Sequence, residues 1–324
     1  MIMKNNSKGG PRIVAIGGGT GLSTTLRGLK LYTTNITAVV TVADDGGGSG
    51  ILRQDLGILP PGDIRNCILA LANTEPTMEQ LLQYRFTEGM LKGQNFGNLF
   101  LAAMIGISKN FEEAVKKMSD VLAVSGKVIP VTLDDVRLVA ELENGTIIKG
   151  ESQIPVVQQK ENSKIKRIYI EPSHAEPFEE VLVDILNADA IVLGPGSLYT
   201  SVIPNLLVDG VCDAIEASKA VKVYVCNIMT QPGETLGYTA CDHVKALFEH
   251  GLKSLDYIIV NNGEIPHDYM KRYIKDMSQP VEYDKNQLES MGIKVVEENL
   301  VALKKEFIRH DEQKLAEVIV SLLK

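Results

Sequence analysis

Only four cysteines stand in the 324 residues, and no two form a CxxC pair. Cys67, Cys212, Cys226 and Cys241 therefore lack the spacing of a zinc knuckle or a thioredoxin-type site. The first, third and fourth lie in or beside apolar or helical runs and are expected as core thiols. The five histidines (174, 243, 250, 267, 310) make no metal-spaced set. Excess positive charge is also missing: 33 basic against 41 acidic side chains leave a net charge of -8. A general nucleic-acid binder would carry a basic stripe. Lys304, Lys305 and Arg309 read as one solvated helix face. No apolar run approaches the ~20 residues that span a bilayer, and the opening MIMKNNSKGG is too polar for a signal peptide. No membrane insertion, a cytoplasmic location and a flexible segment at 1–10 are expected. There is no G-x-S-x-G elbow and no evident Ser/His/Asp constellation, so nucleophilic hydrolysis is disfavoured.

What is present is a rhythm. Apolar, β-branched runs at 12–16 and 36–42, and later those that open KRIYIEP, ADAIVLGPGSLYTSVIP, AVKVYVCNIMTQPGET and LDYIIVNNGEIP, alternate with amphipathic stretches. Alternating βα units predict a mostly parallel, Rossmann-like sheet with helices on both faces. The chain reads as a single α/β domain over 11–322. Within it, 128–170 breaks the rhythm: alternating runs flank Asn144-Gly145, a strong hairpin signal. That block is expected to be a small antiparallel subdomain, and its edge strands favour a homodimer.

Four strands run into unusual loops: GGGTG at 17–21, ADDGGGSG at 43–50, GPGSLYTS at 194–201 and NIMTQPGET at 227–235. The carboxyl ends of parallel strands line the ligand crevice of such folds. Glycine lets a ligand approach the backbone, and the following helix start offers N–H groups to an anion. GGGTG is neither the full G-x-G-x-x-G fingerprint nor a P-loop, since no Gly-Lys-Ser/Thr follows. Gly17, Gly18, Gly19, Thr20 and Gly21 are thus candidates for a phosphate or diphosphate seat, with a close strand–helix crossing as the plainer alternative. NAD is the weaker ligand on this pattern.

Asp44 and Asp45 close the second strand. One reading has them bind ribose hydroxyls. The other pairs Asp45 with Asp63 around a hard cation such as Mg²⁺. Either acid is also a natural cap or turn residue. Asn66 sits one turn into the helix that begins near Asp63 and can face the crevice. Asn98 is a ligand or an N-cap. Gly194, Gly196, Ser197, Thr200 and Asn227 are placed at the ends of two later strands for contact with base or sugar.

Three segments, IVAIGGGTGLSTTLRGLK, ITAVVTVADDGGGSGILRQDLGILPPGDIRNCILALA and ADAIVLGPGSLYTSVIPNL, together resemble the gluconeogenesis factor family. That family is related to the 2-phospho-L-lactate transferases of deazaflavin cofactor biosynthesis. The resemblance spans roughly residues 11 to 322. It implies a Rossmann-like core and a nucleotide-sugar ligand, UDP-N-acetylglucosamine first. It further implies regulation of carbon flow to cell-wall synthesis and cell shape during gluconeogenic growth, through a cell-wall-synthesis protein partner. In the related transferases, acids matching Asp45 and Asp63 look like the divalent-metal site. A metal-dependent phospholactyl-type transferase is the alternative function, and an NAD-binding protein the third.

Overall fold

A computed structural model describes residues 9–304 and 307–323. In chain order its strands are β1 (Ile13–Gly17), β2 (Ile36–Val40), β3 (Lys127–Pro130), β4 (Arg137–Leu142), β5 (Ile147–Lys149), β6 (Ile165–Glu171), β7 (Ala190–Leu193), β8 (Val221–Val225), β9 (Tyr257–Asn261), β10 (Lys294–Glu298), β11 (Val301–Lys304) and β12 (Phe307–His310). Seven of them form one sheet in the order β10-β9-β8-β7-β1-β2-β3. All its pairings are parallel. β1 is central and buried along its whole length. Its residues alternate between the two cores: Val14 and Ile16 pack on one side, Ile13 and Ala15 on the other. This is why a central parallel strand reads as a continuous apolar run.

Helix Gly19–Leu29 follows β1 and buries Leu22, Leu26 and Leu29 completely. It packs against helices Pro61–Leu71 and Glu312–Ser321. A Cβ on Gly28 would lie 1.9 Å from the Glu312 carbonyl oxygen, so this glycine serves a helix crossing. From β1 the sheet grows through β2 to β3, then restarts at β7 on the other side. The switch point falls between β1 and β7, where a crevice opens beyond the carboxyl ends.

The stretch expected as a hairpin block at 128–170 is divided. Residues 127–130 are the main sheet's edge strand, paired with β2. The antiparallel sheet is β5-β4-β6, with Asn144-Gly145 as its turn and Gly145 at φ +87°.

Two local expectations are corrected. The glycine-rich stretch after Asp45 is helical, Gly47–Leu56, because Gly50 lets its turn sit on the Asp45 backbone; a Cβ there would meet the Asp45 carbonyl at 2.1 Å. Lys304 and Arg309 lie on the β11–β12 hairpin, not on a helix face; Lys305 lies outside the described residues. Of the flexible segment expected at 1–10, residues 1–8 also lie outside them, whereas the Gly9 and Gly10 carbonyls accept from the Asn35 side chain. Cys67, Cys226 and Cys241 are buried free thiols. No single helix among the described residues is long and apolar enough to cross a membrane.

Candidate functional site

β1 delivers the glycine turn to the switch point. Gly17 completes the strand: its carbonyl accepts from Thr41 N at 3.0 Å and Asn205 Nδ2 at 3.2 Å. The next helix starts at Gly19 with no side-chain cap and no acid in its first turn. A helix start of this kind leaves N–H donors and a positive dipole end for an anion. Gly18 and Gly19 both face Asp63, and Gly21 faces the second glycine loop. A Cβ on Gly18 would lie 2.5 Å from Asp63 Oδ2; Gly19 adopts φ +62°; a Cβ on Gly21 would lie 2.3 Å from the Pro195 carbonyl oxygen. The two glycine loops, 17–21 and 194–197, are therefore pressed together backbone to backbone.

A cleft of about 420 Å³ opens over them, lined by Gly18 to Gly21, Gly196, Ser197 and Asn227. The same cleft is also lined by side chains outside the sequence candidates: Gln231, within the 227–235 loop, and Tyr273 and Arg309 from further along the chain. Asn227 and Gly196 hold each other, Gly196 N donating to Asn227 Oδ1 at 3.2 Å and Asn227 Nδ2 to Gly196 O at 2.9 Å. Ser197 Oγ donates to Gln231 Oε1 at 2.8 Å. Gly194 is behind the cleft, where its N–H extends the β1 pairing to Ile16 O. Thr200 is turned inward as well, donating to Glu234 Oε1 at 3.0 Å. Glu234 is 3% exposed and also accepts from Tyr199 N and Gln231 Nε2. Burial pushes its carboxyl up to about 7.

The acids gather on the opposite side of the glycine turn. Asp63 lies against Gly18 and accepts the Gly19 N–H; burial first, then the Asp44 charge, push it up to about 7. Asp44 accepts from Gly46 N at 2.9 Å and is raised mainly by burial. Asp45 points away to the small sheet's exit, where Oδ1 accepts from Ser152 N at 2.9 Å. Glu151, which carried no sequence signal, is pushed up to about 8 by burial among Asp44, Glu234, Asp45 and Asp63. The carboxylate beside Asp63 is thus Asp44. Among the described residues no three His, Cys, Asp or Glu side chains converge enough to hold a metal alone. Asn66 is half-buried on the Asp63 helix and Asn98 is buried beyond it; neither lines the cleft. Asn95, not Asn98, caps helix Phe96–Gly106.

This strand order, with a glycine turn and an open helix start at the switch point, defines a Rossmann-like α/β domain. The 2-phospho-L-lactate transferase CofD family model matches residues 13–301. A relative from Thermoanaerobacterium thermosulfurigenes is 72% identical over 97% of both chains. The Bacillus subtilis gluconeogenesis factor is 49% identical over 97% of this chain and 98% of its own. A crystal structure of a UPF0052 family member from Bacillus halodurans is 47% identical, covers 96% of this chain and 99% of that one, and superposes with a TM-score of 0.91. The chain belongs to the CofD family and, within it, stands with the gluconeogenesis factors.

Proposed function

We propose that the chain is a nucleotide-sugar-binding regulator. Its ligand is of the UDP-N-acetylglucosamine type, and its output adjusts carbon flow to cell-wall synthesis and cell shape under gluconeogenic growth. The observation that carries this is the glycine turn. Thr20 and Gly21, at an open helix start, lie beside Gly196 and Ser197 in the lining of a cleft of about 420 Å³, within the ~300–1,000 Å³ of small-ligand sites. The diphosphate rests on the helix start, and Asn227 and Gln231 offer amides to base or sugar. A regulatory role fits a cleft whose one lining hydroxyl with a side-chain partner, Ser197, is bonded to an amide and not to a base. The family resemblance supplies the choice of sugar nucleotide, the cytoplasmic setting and a cell-wall-synthesis protein as partner. Self-pairing along the outer edge of β5 is the corresponding homodimer.

A second reading rests on Asp44 and Asp63. Two raised carboxylates beside a phosphate seat suit Mg²⁺, which takes one or two acids and completes its shell with water and substrate phosphates. Such an ion would screen the diphosphate, and the chain would then be a metal-dependent transferase. NAD, lacking a complete fingerprint, is third.

Calorimetric titration of UDP-N-acetylglucosamine with and without Mg²⁺, against NAD, separates the three. Micromolar binding of the sugar nucleotide without turnover supports the regulator. Mg²⁺-dependent product formation supports the transferase. Absence of sugar-nucleotide binding overturns the first reading.

A further inference from the structure

Two arginines of this chain are almost fully buried, and they are treated differently. Arg53, 3% exposed, is saturated: its guanidinium reaches Asp135 and the carbonyls of Val42, Asp44 and Val136. Arg65, 8% exposed, has one hydrogen bond, Nε to Asn98 Oδ1 at 3.1 Å. Neither of its Nη groups has a hydrogen-bond partner among the described residues, and no carboxylate pairs with it within 4.0 Å. These Nη atoms keep some contact with solvent. Burial lowers the Arg65 pKa to about 10; the guanidinium of Arg85, an exposed side chain whose Nη1 donates to Gly93 O at 2.6 Å, acts in the same direction and the Asp63 carboxylate opposes both. Removing a guanidinium from water without an anion is strongly unfavourable. The fork geometry of its Nη pair matches a carboxylate or phosphate.

We propose that Arg65, assisted by Arg85, is the seat of a small oxyanion. Arg65 is on the Asp63 helix, two residues further on, and is not among the residues that line the cleft, so this seat is distinct from the diphosphate position. Asn98 holds the fork by its Nε, leaving both Nη groups without a hydrogen-bond partner among the described residues. The ligand is a small metabolite bearing a carboxylate or a phosphate monoester, and it binds whether or not a nucleotide occupies the cleft.

The test uses the full chain and two probes, inorganic phosphate and malonate. The side-chain Nε–H signal of Arg65 is assigned by its loss in Arg65→Lys. The expected result is a saturable shift of that signal with one probe or both, the responding probe naming the anion class. Arg65→Lys keeps the charge but loses the fork, and it weakens that probe by about tenfold. UDP-N-acetylglucosamine affinity changes less than about threefold, under half the 1.4 kcal/mol that a tenfold change represents. A failure of the nucleotide reading therefore leaves this result standing. A stationary Arg65 signal with both probes, or equal probe affinity in Arg65→Lys with a native melting curve, overturns the proposal.

Discussion

Replacing Gly21 with alanine puts a methyl group 2.3 Å from the Pro195 carbonyl oxygen, 2.6 Å from its carbon and 2.8 Å from Gly196 Cα. Ordinary contact begins near 3.4 Å, so the two loops must separate by about 1 Å, a backbone displacement of the overpacking kind that costs ~1–3 kcal/mol. For a chain of 324 residues, with an unfolding entropy of ~2.1 cal/mol/K per residue, each kcal/mol lowers Tm by roughly 1.5 °C. The larger effect is expected in binding, because donors and cleft wall move apart together. A misplacement of ~1 Å is enough for a hundredfold loss where geometry is decisive, and at least a tenfold weaker UDP-N-acetylglucosamine Kd is expected by calorimetry. Gly28→Ala is the matched control. Its methyl would lie 1.9 Å from Glu312 O, on the same helix but away from the cleft. It should lower Tm without changing Kd in the folded protein. Unchanged Kd in Gly21→Ala alongside a lowered Tm would refute the diphosphate seat and leave a close crossing as the glycine's whole purpose.

Other outcomes follow from the same geometry. The Asp63 carboxyl holds its proton to about 7 when folded, against 3.8 when free, so the folded state binds more protons between those values. Stability then falls as pH rises through this window, and Asp63→Asn should raise Tm at pH 8 with the gain gone by pH 4; an equal gain at both would contradict the burial of that charge. Arg53→Ala should cost ~3 kcal/mol or more in urea unfolding, since it strands the carbonyls of Val42, Asp44 and Val136, while the exposed Asp135 carboxylate stays hydrated. Tyr199→Phe, which removes the 2.9 Å bond to the Tyr238 hydroxyl, should cost about 1 kcal/mol in the same assay. Asp45→Asn should leave sugar-nucleotide affinity unchanged with and without Mg²⁺, because Asp45 faces Ser152; a Mg²⁺-dependent loss would return Asp45 to the site.

The periodic parts of the fold were readable because a strand buried on both faces and a helix with one apolar stripe leave direct marks in the chain. Leu22, Leu26 and Leu29 show their spacing before any coordinates. The stretch after Asp45 did not, since five small residues look like a loop unless the close seat of Gly50 on Asp45 is known. The same limit applies within the cleft. Glycines and strand ends mark where a site lies, but not which of two adjacent acids turns toward it. Asp44 and Asp45 differ by one position and face different elements. Tyr273 and Arg309 enter the lining only through tertiary packing, and nothing local sets them apart from other polar residues. Thr200 reads as a ligand by its place after a turn, yet it is committed to the buried Glu234.

The cleft joins the first strand of the chain to its last. The floor is the turn after β1, and part of the wall is Phe307 to His310 in β12. During synthesis the floor leaves the ribosome long before the wall exists. Ligand can then find a complete pocket only once residues 307–310 have been made and have folded into place, so occupancy of the site doubles as a report that folding has reached β12.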